Sequence, residues 1–376
     1  MQALTASPRD HLTEAEVRAL LTGDDVTVSP GLELLDTSNT LVEDISDDLV
    51  GGEVARANFA DVHGTCSLDL MRELAWGRDR VRPFMVLSND DTSARFDLGV
   101  FVLTTPDSVR GDDDPTYSVT GFDLMHLLQD GPGDTYMVAA GETYLDAVQA
   151  VVTAASPGSV ALLDGTLQST VLPESMVWAL TPTSPASWMR ICNDLLAAIN
   201  YRGLWADQSG TFRSGPYADP STRAVEWVFD TTDAATDILG EDRTLTADVW
   251  GARNWWRFVR KDMATTPVEG AGIYTVANPS TGRTSIAALG RTVRAAVQFL
   301  DAADQASLEA QGDRIVAADQ ASSREFTISV DPLPIAGHFD VVQLLDAGDD
   351  DVCQVSAWTL PLDGSQGRWT LKAVTA

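Results

Sequence analysis

The feature that most constrains this chain is a change of hydrophobic period along its length. Residues 31 to about 130 alternate apolar and polar side chains, the period of a half-buried strand. Turn signals interrupt the alternation at Gly51-Gly52, Asn89-Asp90-Asp91 and Gly111-Asp112-Asp113-Asp114-Pro115. Between about 131 and 215 the period becomes helical. TYLDAVQAVVTAA (143–155) sets Leu145, Val148 and Val152 on one stripe. SPASWMRICNDLLAAINYRG (184–203) sets Trp188, Ile191, Cys192, Leu195, Leu196 and Ile199 on one face, with Ser184 to cap, Pro185 at the first helical position and Gly203 to close the end. GLWADQSGTFRSGPY then reads as a hairpin turning at Gln208-Ser209-Gly210.

From residue 216 the strand period returns in AVEWVFD, NWWRFVRKD, EFTISVDP, FDVVQLLD, VCQVSAWTLPL and GRWTLKAV. One long helix at about 301–320, capped by Asp301, interrupts it. The predicted class is α+β, mainly β. Its predicted parts are an N-terminal helix and linker (1–30), a first β-barrel or sandwich (31–130), an inserted α/β domain (131–215) and a second barrel carrying the long helix (216–376). In the first part, Leu12, Val17, Leu20 and Leu21 share a side of the helix and Gly23 can end it. FDLGVFVLTTP with its acidic loop is echoed by FDVVQLLDAGDDDVCQVSAWTL, which reads as two generic acidic hairpins rather than a repeat.

Charge narrows the partners. The formal net charge is −30 over 376 residues, so the surface repels phosphate, against sequence-independent nucleic-acid binding and anionic membranes. No segment reaches the roughly 20 apolar residues of a membrane helix. MQALTASPRD lacks the basic start and apolar run of a signal sequence, so folding in a cytoplasm is expected. Cys66, Cys192 and Cys353 are odd in number and far apart, which suits reduced, buried thiols.

Asp61, His63 and Cys66 fall within six positions and carry the groups of a thiol nucleophile, its base and an orienter. If 58–71 is a strand, Val62, Gly64, Cys66, Leu68 and Leu70 face the core, while Asp61, His63, Thr65, Ser67 and Asp69 face away. Thiol and base need contact on the order of 3 Å, which opposite faces do not give. No catalytic, cofactor or metal residue is assigned. The histidines (His11, His63, His126, His338) are scattered, and the acidic runs 112–114 and 349–351 lack calcium-loop spacing and read as solvated turns. Trp76, Trp250, Trp255 and Trp256 lie in polar contexts that suit a sugar or a partner subunit, but ordinary core packing is the preferred reading for most of the tryptophans, and Trp255 and Trp256 should face opposite ways.

Several segments resemble the hub proteins of phage tail tips, which include baseplate hubs, siphophage minor tail proteins and the N-terminal part of tail-associated lysins. LELLDTSNTLVEDISDDLVGGEVARANFADVHGTCSLDLMRELAWGRDRVRPFMVL looks like the opening barrel of that family. RFDLGVFVLTTP with YSVTGFDLMHLL looks like its next strands, TYLDAVQAVV and WMRICNDLLAAINYRGLWADQSGTFR like its inserted α/β domain, and REFTISVDP with HFDVVQLL like its closing barrel. The likeness covers about 30–376. It implies two tube-type barrels per chain and a homotrimeric ring that continues the tail tube. A channel would pass DNA or a tape-measure protein. The implied partners are the distal tail protein or tube, the tip or fibre receptor-binding proteins and the tape-measure protein. The implied place is the tail tip of the virion, without cofactor, sequence-specific nucleic acid or membrane insertion. Where lysins continue into a peptidase or receptor-binding module, this chain ends VTA after its last strand, so the expectation is a hub that is not an enzyme. The alternatives are a carbohydrate-binding tail adhesin and a cell-wall hydrolase component.

Overall fold

In the computed structural model, which describes all residues except 24, 110–114, 180–185, 233–237, 248–249, 262–266, 303, 322–323, 347–348 and 375–376, the two strand-rich stretches share one large sheet. Its path runs Leu239–Ala247, Arg324–Val330, Gly367–Ala373, Asp349–Pro361, Leu49–Ala57, Gly64–Leu70, Thr116–Asp123, Phe101–Leu103, Arg80–Ser88, Thr27–Leu35, Leu41–Asp44. The first and last parts of the chain join where Asp349–Pro361 pairs antiparallel with Leu49–Ala57, Ala357 opposite Ala57 and Pro361 opposite Glu53. The pairing is antiparallel throughout this path, while Trp227–Asp230 adds in parallel beside Val341–Asp346. The chain is therefore mainly β with several helices, as the alternation predicts.

One core lies on this sheet and draws on both parts. Leu68, Phe96 and Phe101 from the first part pack in the same cluster as Phe229, Trp358 and Trp369 from the last. Phe229 and Trp369 meet edge to face at 5.6 Å, a geometry worth about 1 kcal/mol beyond the area it buries. The N-terminal helix Glu14–Thr22 adds Val17, Leu20 and Leu21 to this core, so it is part of the packed body rather than a separate arm. Thr13 and Glu16 form a reciprocal capping box at its start, satisfying two backbone N–H groups that the helix itself cannot.

A second core is built by the helices Tyr144–Ala155 and Trp188–Ala198 with the strands Ala161–Leu163, Trp205–Ala206 and Phe212–Ser214. The predicted caps Ser184 and Pro185 lie outside the described residues; Ser187 caps the second helix, its Oγ accepting from the Arg190 N–H at 3.1 Å. Gly203 does not close that helix. The chain leaves it at Ala198 and turns on Asn200, whose φ of 56° is a left-handed conformation that asparagine tolerates. A third, smaller core lies inside the segment assigned to the second barrel. There Trp256, Phe258 and Ala295 pack under Leu308 and Val316 of the helix Gln305–Ala321. Asp304 serves as the cap of that helix, accepting from Ser307 N–H at 2.7 Å, while Asp301 pairs with Lys261 at 2.7 Å.

Two further expectations are corrected. Gly51 and Gly52 are not a turn but lie within Leu49–Ala57, at a bulge. Gly52 has φ 151°, and a Cβ there would stand 2.2 Å from the Ser67 carbonyl oxygen, so the glycine permits close strand approach. The strand predicted over 58–71 begins only at Gly64, because 58–62 form the turn before it.

Within Gly64–Leu70, Cys66, Leu68 and Leu70 are buried and Ser67 is exposed, as alternation predicts. Cys66 fits only because its neighbour across the sheet is Gly121, where a Cβ would meet the Cys66 sulfur at 2.6 Å. Gly121→Ala should destabilise the protein by about 1–3 kcal/mol, with part of the loss recovered when combined with Cys66→Ala. Denaturant midpoints of the two single variants and the double variant check this; strict additivity would show that the sulfur contact is not what demands glycine.

Candidate functional site

The three cores meet around a cavity of about 440 Å³. Its walls come from the turn before Gly64–Leu70, the end of Trp188–Ala198 with the loop that follows, the helix Gln305–Ala321 and the end of the last strand. In a chain so rich in carboxylates, three of its wall residues are cationic: Arg202, Arg314 and Lys372. The Arg202 guanidinium lies 5.1 Å from the centre of the Tyr217 ring and 4.7 Å from that of Phe339. Arg314 lies 5.6 Å from the same Tyr217 ring, and the Lys372 ammonium 4.9 Å from the Phe59 ring. Cation–π contact of this kind orients a charge without neutralising it. Each arginine also donates to a carbonyl oxygen, Arg202 to Ala218 at 2.9 Å and Arg314 to Tyr201 at 3.2 Å. Burial, and then the nearby Arg223 charge, lower Arg202 to about 10.

Behind this wall lies a buried polar cluster. Arg56 donates to the carbonyl oxygens of Ala206 and Leu98, both at 3.1 Å, and to His338 Nε2. Because a guanidinium only donates, His338 must carry its proton on Nδ1 and be neutral. The ring centres of His63 and His338 are 5.4 Å apart. Burial lowers His63 to about 4, with Arg56 adding to the shift, and the same causes push His338 well below the usual histidine range. Asp123 accepts from the backbone of Gly64 at 2.6 Å and Met125 at 3.0 Å, yet burial raises it to about 6.

The Asp61, His63 and Cys66 group is separated as expected, but not by alternation alone. Asp61 is exposed at the cavity mouth. His63 does not point to solvent; it is 9% exposed and faces His338, because it precedes the strand instead of lying in it. Cys66 is in the main core, and burial pushes its thiol above the ordinary range, so the sulfur stays protonated. The pairing of His63 with His338 was not visible in the sequence, where the two are far apart.

The acidic run 112–114 lies outside the described residues. The run 349–351 is not a solvated turn; it opens the strand Asp349–Pro361, and Asp351 pairs with Arg324 at 2.7 Å. Among the described residues no group of three or more metal-ligating side chains comes together. Trp256 is fully buried and donates to Asp319 at 2.7 Å, while Trp255 faces the other side against Arg294. Trp250 is 78% exposed, with Arg291 over its ring, and Trp76 packs against Tyr117.

The neutral histidines give stability a defined pH dependence. Unfolded imidazoles protonate near 6.5 and the folded ones only lower, so between pH 6.5 and about 4 unfolding takes up protons and stability falls as pH falls. Asp123 acts oppositely: protonated in the folded chain up to about 6, it contributes less as pH rises from about 4 to 6. For His63→Gln, the stability of the native protein relative to the variant should fall with pH across the 6.5-to-4 window, by up to about 1.4 kcal/mol per pH unit. Urea midpoints measured at several pH values check this. A difference that does not move with pH would mean that His63 titrates alike in both states.

No family model matches the chain, and no curated protein matches it in sequence. Solved structures match it in shape. The tail protein from Neisseria meningitidis MC58 superposes with a TM-score of 0.63 at 14% identity, covering 92% of this chain and 96% of that one. The 43 kDa tail protein of prophage MuSo2 from Shewanella oneidensis gives 0.58 at 10% identity, over 92% and 98%. A chain of the Francisella PdpA–VgrG complex gives 0.53 at 8% identity, over 97% of this chain and 62% of that one. With its shared sheet, its helical middle and its cavity between them, the chain has the fold of the phage tail proteins.

Proposed function

We propose that the chain is a structural hub protein of a phage tail tip. In this reading it is a homotrimer, and each chain contributes two tube-type barrels to a ring of six that continues the tail tube. The single observation that carries the reading is the match to a tail protein over nearly the full length of both chains, 92% of this one and 96% of the other. At 14% identity the shared fold lends the role by architectural analogy. The channel would pass DNA or a tape-measure protein. The distal tail protein or tube would lie on one side and the tip, fibre or receptor-binding proteins on the other. The chain would act in the virion tail, after synthesis in a host cytoplasm.

Two physical features support this reading. A net charge of −30 per chain suits a conduit wall, since like charges keep passing DNA from adhering across a narrow lumen. A Cys66 thiol that stays protonated in the core, apart from the neutral histidines, suits a structural role rather than nucleophilic catalysis.

The same charge sets the conditions of assembly. Three such chains repel one another, and screening shortens that repulsion to a range of about 8 Å at physiological ionic strength. Light scattering of the purified chain should give three times the chain mass, with the trimer favoured as salt rises from about 0.05 to 0.5 M. Negative-stain images should show rings. A chain that stays monomeric across that salt range at micromolar concentration, with no rings on the grid, would overturn the trimeric hub.

A further inference from the structure

We propose that the cavity between the three cores is a binding site for a carboxylate carried on an apolar body, held by Arg202 and Arg314. The chain has 55 acidic and 25 basic residues, so three cations on one cavity wall are a local excess of positive charge. Arg223 and Arg324 have carboxylate partners, Glu226 and Asp351. Among the described residues, Arg202, Arg314 and Lys372 form no ion pair, although all three line one cavity. Glu325 stands opposite Lys372 in the sheet without ion-pair contact. The two carboxylates of the wall are turned to other tasks: Asp61 is exposed, and Asp219 accepts from the backbone and hydroxyl of Ser221 at 2.8 and 2.7 Å.

Geometry supplies the rest. Arg202 and Arg314 share the Tyr217 ring, and the one carbonyl that each binds leaves most of each five-donor fork unused. Two partly buried cations held this close repel each other, and a bound anion would relieve the repulsion. The Phe59, Tyr217 and Phe339 rings give the cavity apolar surface beside its charge. Its size, about 440 Å³, falls in the range of pockets that enclose small organic ligands or a side chain with its backbone. The wall also keeps two buried polar atoms without partners, Asn58 Oδ1 and His63 Nδ1, so its hydrogen bonding is not closed within the chain. Such a carboxylate could belong to a free organic acid or to an acidic side chain of another polypeptide. The site does not depend on ring formation.

The test is calorimetric titration of the full chain in about 0.15 M salt, where long-range repulsion by the acidic surface is screened. The probes are phenylacetate, its neutral analogue phenylacetamide, and the blocked dipeptide acetyl-Phe-Glu-amide. At least one acid should bind with a Kd of about 1 mM or tighter, and at least tenfold more tightly than the amide. Arg202→Gln and Arg314→Gln should each weaken it about 10- to 100-fold, the usual loss for a charged hydrogen bond. Lys372→Gln should weaken it less, and serves as the reading should an arginine variant fail to fold. Tighter binding of the dipeptide identifies a polypeptide ligand, and tighter binding of phenylacetate a free acid; both support the site. Equal binding of acid and amide, no binding by either acid, or undiminished binding by Arg314→Gln and Lys372→Gln would overturn it.

Discussion

The structure depends on Arg56, a guanidinium buried where all the main parts of the chain meet. It lies on Leu49–Ala57, the strand that joins the first and last parts of the sheet, opposite Trp358. Its donors reach Leu98 in the first part, Ala206 in the helical middle and His338 in the last. Burying a cation without a bonded carboxylate costs on the order of several kcal/mol. Three things offset this: charge-assisted bonds to two carbonyls, the Trp358 ring at 5.8 Å, and the more distant charges of Asp123, Asp207 and Asp340. The same cation dictates the state of its neighbours. His63 and His338 must be neutral beside it, and Asp123, although raised by burial, is held down by it.

The carboxylates have a corresponding architectural use. Asp-x-Ser/Thr recurs at Asp36, Asp44, Asp207, Asp219, Asp230 and Asp363. In each case the carboxylate accepts from the backbone N–H two residues on, closing a turn at a strand or helix end. Asp36, Asp44 and Asp363 are lowered by hydrogen bonds from the side chains and then the backbones of Ser38, Ser46 and Ser365, so they stabilise the fold while ionised and lose that contribution as pH falls. The net charge of −30 is therefore in part a record of turn chemistry and not only a means of solubility.

The sequence made the elements legible wherever one face of an element is buried and the other is wet. Cys66, Leu68 and Leu70 inside, and Val17, Leu20 and Leu21 on one helical side, follow from periodicity alone. It misled at element ends. His63 was assigned to a strand that starts one residue later, and one residue reverses a face. Ser187 and Asp304 took the capping roles expected of Ser184 and Asp301, because several residues near a helix start can cap and packing chooses among them. The cavity was not legible at all. Its walls come from residues near 60, 200, 220, 315, 340 and 372, and no local pattern connects them.

Acidity also decides how such a chain can associate. The sheet path ends at Leu41–Asp44, a strand exposed along its whole length, where Leu41 and Val42 are 51% and 60% exposed. A bare edge with two apolar side chains invites indiscriminate pairing with any other strand. Glu43 is held by Arg72 at 2.9 Å, but Asp44 follows directly, and against a second acidic chain its charge opposes that pairing by like-charge repulsion. A contact on this edge must therefore be specific enough, or basic enough on the partner's side, to overcome the repulsion. The charge thus filters which neighbours can add to its sheet.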